Sequence, residues 1–401
     1  MNNNKIFGSM LIIAGTTIGA GMLALPLASA GLGFGVASIL MLLLWGLMSY
    51  TALLMLEVHQ HAPAHATLHT LAHKLLGRKG QLLASLAMMF LLYALCAAYI
   101  AGGGAQLHDK LVRYADLALP PQVGAIGFAL LIALVVAIGT HSVDMINRVL
   151  FTLKIVALVI MLALLLPHAQ GGYLLELPLQ QGLVISALPV IFTSFGFHGS
   201  IPSVVRYVGL DLKALKKIML VGSAMPLLVY LLWQLASQGA LSQSELMASK
   251  ELPKFINSLG QLLHNPMIGQ TVSIFADLAL ATSFLGVSLG LFDFMGDILR
   301  RNDSAGHRLQ TAAITFLPPL GFALFYPQGF MAALGYAAIA LVILAVFLPV
   351  AMVWKQRCQP MPAGSYRVGG GKPALILAAL CGIVIILSQL LQMAGLLTKV
   401  G

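Results

Sequence analysis

Two short segments hold residues better suited to gripping a small molecule than to extending a helix. The first is Ala14-Gly15-Thr16-Thr17-Ile18-Gly19-Ala20-Gly21-Met22; the second is Thr193-Ser194-Phe195-Gly196-Phe197-His198-Gly199-Ser200, followed by Pro202. Glycine weakens a helix and proline interrupts one. Where a helix restarts, the N–H groups of Gly19, Ala20 and Gly21 carry a partial positive charge suited to a carboxylate. The carbonyls that end the preceding half, and those at the second break, suit an ammonium. Both features around one cavity describe a site for a zwitterion, that is, an amino acid. The plainer reading is that small residues only let helices pack closely.

Other side chains stand out singly. Thr16, Thr17, Ser194, Gly196 and Gly199 sit at the breaks, where a hydroxyl either touches a ligand or bonds to the preceding turn. His198 has three readings: pairing with a substrate hydroxyl, relaying a proton, or capping loose carbonyls. Lys154 and Asp277 lie inside apolar runs, where an ionisable residue is a functional candidate. Lys154 lies about 5 residues into its run, near enough to its end to snorkel. Asp277 is read as an isolated carboxylate, below Lys154 in rank: a second protonation site, a recogniser of a polar substrate group, or a residue at the outer water boundary. Asp293 and Asp297 form an i,i+4 pair near Arg300 and Arg301 and read as inner-gate or interfacial salt bridges, and Glu57 ends its run in solvent. The histidines at 59, 61, 65, 69 and 73 lack a carboxylate or cysteine partner pattern and read as a loop, not a metal site. Cys96, Cys358 and Cys381 show no metal or disulfide spacing.

The elements that must position these residues are membrane helices. Of 401 residues, 59% are apolar and only 8% charged, and mean hydropathy is +0.95. A typical soluble domain carries about 25% charged residues. That composition excludes a soluble enzyme and, despite a net charge of +10, a nucleic-acid binder. Apolar windows give eleven transmembrane helices: 7–30, 34–57, 81–107, 123–140, 149–167, 183–205, 217–238, 270–299, 310–326, 329–354 and 374–397. The first is read as a span and not as a leader cleaved after Ala28-Ser29-Ala30. With the N-terminus cytoplasmic, every Lys and Arg except Lys110, Arg113, Lys250, Lys254 and Lys399 falls on the inner side, as topology requires of basic loops. The C-terminus is then periplasmic and the protein is multi-pass in a cell inner membrane, with the lipid bilayer as its surroundings. The outer stretch 239–269 reads as a partly helical cap. Each break falls in the first helix of a five-helix block, 7–167 and 183–354. An odd number of helices per block turns the second block over, the pattern of an inverted repeat. The chain is thus a single transmembrane domain, with 374–397 as an extra helix.

These motifs carry a resemblance. Gly15-Thr16-Thr17-Ile18-Gly19-Ala20-Gly21-Met22-Leu23-Ala24-Leu25-Pro26 resembles the opening motif of the bacterial aromatic amino acid permeases. Phe192-Thr193-Ser194-Phe195-Gly196-Phe197-His198-Gly199-Ser200 resembles their sixth-span motif. Asp277-Leu278-Ala279-Leu280-Ala281-Thr282-Ser283-Phe284-Leu285-Gly286 and Gly290-Leu291-Phe292-Asp293 resemble their eighth. The resemblance implies a LeuT-type fold, five plus five helices and one more, importing an aromatic amino acid with protons. Tyrosine is the first expected substrate; tryptophan is the rival substrate and sodium the rival ion. It also implies that span three lines the cavity, which makes Tyr93 a candidate for the ligand and leaves Tyr99 as an interfacial anchor. Phe192, Phe195 and Phe197 become candidates for a stacking wall. In related proton-coupled carriers a lysine of span five takes the place of sodium. Lys154 would do so here, against span one and the hydroxyls of Thr282 and Ser283. No cofactor is expected beyond the proton as coupling ion. With no nucleotide-binding loop and no nucleophile–base pair, no enzyme activity is expected. A channel or sensor of the same fold is the reading from another class.

Overall fold

In hydrocarbon a backbone must satisfy its own hydrogen bonds, and an apolar single segment can do so only as a helix. The computed structural model describes residues 3–115, 119–177, 182–249, 251–299, 304–360, 362 and 364–398, and among them no strand occurs. The helices are α1 (Asn3–Thr17), α2 (Ala20–Ala28), α3 (Phe34–His59), α4 (Leu68–Ala115), α5 (Pro121–Ile138), α6 (Thr140–Leu165), α7 (Gly171–Leu174), α8 (Gly182–Ser194), α9 (Ile201–Val208), α10 (Leu212–Ala240), α11 (Gln243–Ala248), α12 (Leu252–Leu262), α13 (Pro266–Ile298), α14 (Ala305–Phe325), α15 (Phe330–Val342), α16 (Leu348–Arg357) and α17 (Gly371–Met393). A π turn over Ile343–Phe347 joins α15 to α16.

Among the described residues nine helices are long and apolar enough to cross a membrane, or ten if the bent pair α1–α2 is one span. The remaining expected span, 310–326, falls on α14. It has 21 residues, but His307 and Arg308 stand near its start and Pro318-Pro319 in its middle. Arg308 caps a neighbour: its Nη2 donates to Ala137 O at the end of α5, 3.0 Å away, where a cation suits the helix dipole. The long helices expose many large apolar side chains, as at Leu43, Leu134 and Ile138, which suits lipid and not water as their solvent. The chain is an all-helical, multi-pass membrane protein.

The helices form two packed groups. α1, α2, α3, α8, α9 and α10 pack on one another; α4, α5, α6, α13, α14 and α15 make the second group. Small residues set the closest approach. A Cβ on Gly104 of α4 would lie 2.5 Å from Ala125 Cα of α5, so only glycine lets these backbones meet. The cap over 239–269 is partly helical as expected. α11 starts with a capping box in which Ser242 Oγ accepts from Glu245 N and Glu245 returns a bond to Ser242 N, and α12 lays Phe255 against Trp233, ring centres 6.0 Å apart.

One boundary shifts the meaning of a site residue. The expected fifth span began at 149, but α6 begins at Thr140. Its polar first turns carry Asp144 and Arg148, an exposed pair one turn apart, 2.8 Å between Nη2 and Oδ2. Lys154 therefore lies about 21 Å from the helix start at 1.5 Å per residue, and it is 2% exposed. It does not snorkel. Glu57 is corrected too: it is fully buried, in a two-point bond to Arg357 of α16, both contacts 2.7 Å, and it accepts from Val368 N.

Candidate functional site

The first break is built from side chains that compete with the helix ladder. Thr16 and Thr17 donate back to carbonyls of the preceding turn, Thr17 Oγ1 to Ile13 O at 2.7 Å. Such back-bonding loosens a helix. Gly19 is extended, φ −145 and ψ −155, and α2 leaves at 53° to α1. The second break follows the same logic. α8 ends at Ser194, Phe195 to Phe197 are not helical, a single tight turn covers His198–Ser200, and α9 restarts with Pro202 in its first turn, where a missing N–H costs nothing. Both interruptions expected at these segments are present.

Neighbouring helices satisfy the opened backbone. Ser283 Oγ of α13 accepts from Ala20 N at 3.0 Å. Lys154 Nζ of α6 donates to Ile18 O at 2.9 Å and stands 4.6 Å from the centre of the Phe151 ring. Tyr230 of α10 places its hydroxyl 2.6 Å from Thr17 O and 2.8 Å from Ser194 O. Trp233 Nε1 donates to Met22 O at 3.1 Å. The two breaks also touch directly, Ser194 Oγ donating to Gly21 O at 3.0 Å. Unwinding is thus tolerated because three other helices replace the lost bonds.

A cavity of about 930 Å³ lies between the two helix groups, against both breaks. Thr16, Thr17, Gly19, Gly21, Lys154, Ser194, Gly196, His198, Thr282 and Ser283 all line it. Ten of the expected site residues are therefore brought to one place. The cavity runs to an open end at Arg206, Asp297 and His69, all exposed. Tyr230, Trp233, Phe195 and Phe255 lie outside its lining and are fully buried. The volume suits a small ligand. Its groups offer a helix N-terminus for an anion, one ammonium, several hydroxyls and apolar walls. Among the described residues no three metal-ligating side chains gather.

Other expectations need correction. Ala20 does not face the cavity, and its N–H is already engaged by Ser283. Of the carbonyls expected to meet an ammonium, those of Thr17 and Ser194 face Tyr230 and that of Ile18 faces Lys154. Phe192, Phe195 and Phe197 are buried inside the helix group and do not form the cavity wall. Phe195 instead meets the Tyr230 ring edge-on, centres 5.2 Å apart. The aromatic walls are Phe151, Phe294 and Tyr99. Tyr99, not Tyr93, faces the cavity: Tyr93 donates to Ile314 O of α14 at 2.7 Å, whereas Tyr99 is 7% exposed and lines the cavity. The two are six residues apart, and that spacing on a helix turns them to different faces. Asp277 is not isolated. It pairs with Lys110 of α4, away from the cavity. Arg300 and Arg301, expected beside Asp293 and Asp297, lie outside the described residues.

Sequence reading missed Tyr230 and Trp233. The available signal was two polar-tipped aromatics in an otherwise apolar run, where a buried O–H or N–H needs a partner.

The comparisons with known proteins cover nearly the whole chain. The profile of the tryptophan/tyrosine permease family matches residues 2–389. Tyrosine-specific transport system 1 of Haemophilus influenzae is 44% identical over 95% of this chain and 96% of that protein. Tyrosine-specific transport system 2 of the same organism is 43% identical over 100% of both. Its tryptophan-specific transport protein is 36% identical over 96% of both. The two broken helices that meet at one cavity are therefore those of a permease: the chain belongs to the tryptophan/tyrosine permease family.

Proposed function

We propose that this protein imports aromatic amino acids, tyrosine first, across a cell inner membrane by proton symport with alternating access. The observation that carries this reading is the meeting of both breaks at one cavity with Lys154 bonded to Ile18 O. The substrate carboxylate docks at the N-terminus of α2, where Gly19 and Gly21 face the cavity, and its ring lies along Tyr99, Phe151 and Phe294. The relatives named for tyrosine, at 43% and 44% identity, favour tyrosine over the tryptophan of the relative at 36%.

Proton coupling falls to Lys154. It has no ion-pair partner among the described residues, and its ammonium at the first break would repel sodium there. Protonated, it ties α6 to the break by a charge-assisted bond; deprotonated, it holds the Ile18 carbonyl only by the weaker bond of a neutral amine. The helix group containing α1–α3 and α8–α10 then rocks against the rest. We read the chain as eleven spans, with α1–α2 and α8–α9 as equivalent broken helices of an inverted repeat and α14 as the ninth span. Most basic loops share the open end of the cavity, so that end is cytoplasmic and the form described is open inward. The N-terminus is then inside and the C-terminus outside. The proton is the coupling ion, and no other cofactor enters.

Uptake of labelled tyrosine into proteoliposomes, with and without an imposed pH gradient and challenged by tryptophan and phenylalanine, tests the reading. Accumulation driven by the gradient and abolished by a protonophore is expected. Lys154→Ala is expected to exchange tyrosine across the membrane without concentrating it. Concentrative, gradient-driven uptake by Lys154→Ala would sink the coupling assignment. Fluxes that never saturate would mark a channel.

A further inference from the structure

His198 lines the cavity, is 6% exposed, and comes from the second break. Its Nε2 lies 2.9 Å from Thr51 Oγ1 of α3. Thr51 Oγ1 is also 3.2 Å from Met48 O. A threonine hydroxyl has one hydrogen and spare lone pairs. Both contacts are hydrogen bonds only if that hydrogen goes to Met48 O and the His198 Nε2–H donates to Thr51 Oγ1. The ring proton is then on Nε2, and Nδ1 is a bare acceptor. Nδ1 is buried and has no hydrogen-bond partner.

Four neighbouring hydroxyls of the cavity are committed. Thr17, Thr193, Ser194 and Thr282 each donate their hydrogen to a backbone carbonyl. His198 Nδ1 is different in kind: an acceptor fixed in direction by the Thr51 contact and left without a donor. A buried acceptor of this kind favours a ligand that brings a donor and penalises an isostere that does not.

Resting on the transport reading above, we infer that His198 is the specificity-determining residue of the site: its Nδ1 accepts the phenolic O–H of tyrosine. Thr51 is a positioning residue that holds the ring proton on Nε2. Phenylalanine fills the same space and leaves Nδ1 unpaired. The indole N–H of tryptophan is also a donor, so the same atom serves the wider aromatic preference of the family.

The two ring nitrogens can be imitated separately. An asparagine amide reaches about as far as Nδ1 and a glutamine amide about as far as Nε2. Competition by unlabelled phenylalanine and 4-fluorophenylalanine against labelled tyrosine uptake is measured for wild type, His198→Gln and His198→Asn. In wild type both analogues are expected to compete on the order of 10- to 100-fold less well than tyrosine, as loss of one buried hydrogen bond implies. His198→Gln keeps the Thr51 contact and is expected to lose most of that ratio; His198→Asn keeps an acceptor near the Nδ1 position and is expected to retain more of it. A purely structural histidine predicts the reverse order, with glutamine the better replacement. That order, or an unchanged ratio in both variants, overturns the assignment. If neither variant yields folded protein, the wild-type series decides: competition by 4-fluorophenylalanine as strong as by tyrosine overturns it. A wild-type protein that takes up no aromatic amino acid would instead sink the transport reading.

Discussion

Tyr230 has one hydroxyl hydrogen and faces two carbonyls, Thr17 O and Ser194 O, one from each broken helix. Removing the hydroxyl leaves both without that donor while the ring still packs on Phe195. A buried group left unpaired costs about 1–3 kcal/mol. Tyr230→Phe is therefore expected to lower the thermal midpoint in detergent by a few degrees and to slow uptake, and an unchanged midpoint would show that the bridge carries no energy. Gly19 gives a sharper case. Its extended backbone accepts any side chain, but a Cβ there would lie 2.5 Å from Ser283 Oγ. Gly19→Ala is expected to raise the KM for tyrosine about tenfold, the equivalent of one lost hydrogen bond. Ser283→Ala in the same chain makes room, so part of that loss should return in the double variant. Simple additivity of the two changes would argue against the contact.

At the scale of elements, packing of α4 on α5 depends on backbones that approach where no side chain intervenes. A side chain on Gly104 must displace the Ala125 backbone itself, a strain of at least about 1–3 kcal/mol. Gly104→Leu is expected to yield aggregated or poorly expressed protein on size-exclusion chromatography. Gly35→Leu, at an exposed position of α3 with open space around it, is the matched control and should elute as wild type does. The same scale explains Lys154. Where α6 begins decides whether its ammonium reaches water or stays beside the first break, and α6 begins back at Thr140.

Across the whole molecule, one ion pair ties the end of α3 to the end of α16 on the side where the cavity opens. Arg357 grips Glu57 at two points and also donates to Val368 O, and Gln60 Nε2 donates to Tyr366 O. α3 belongs to the group proposed to rock, so this clamp crosses a moving boundary. Stranding one partner of a buried pair costs about 3–5 kcal/mol, whereas replacing both by apolar residues costs much less. Glu57→Leu or Arg357→Leu alone is expected to lower the thermal midpoint strongly, and the double variant should recover most of it. Equal losses in all three would mean that the pair is not coupled.

Much was legible in the chain because its signals are local. Apolar run length marks a membrane helix wherever it sits. Glycine and threonine at 15–21 and 193–200 weaken a helix whatever surrounds them, so both breaks and the cavity-lining residues that belong to them followed from the sequence. The failures share another cause: each depended on a neighbour remote in the chain. Asp277 reads as alone until Lys110 arrives from α4, and Glu57 reads as solvated until Arg357 arrives from α16. Tyr93 and Tyr99 differ only in which neighbour each face meets, and Tyr230 matters only because two carbonyls from separate helices converge on it. Composition and pattern alone determined the solvent, the secondary structure and where the backbone opens, since those follow from transfer energy and conformational preference within one segment. Tertiary structure decided which polar group answers which, because a hydrogen bond or an ion pair acts over a few ångströms and the chain brings its partners together only by packing.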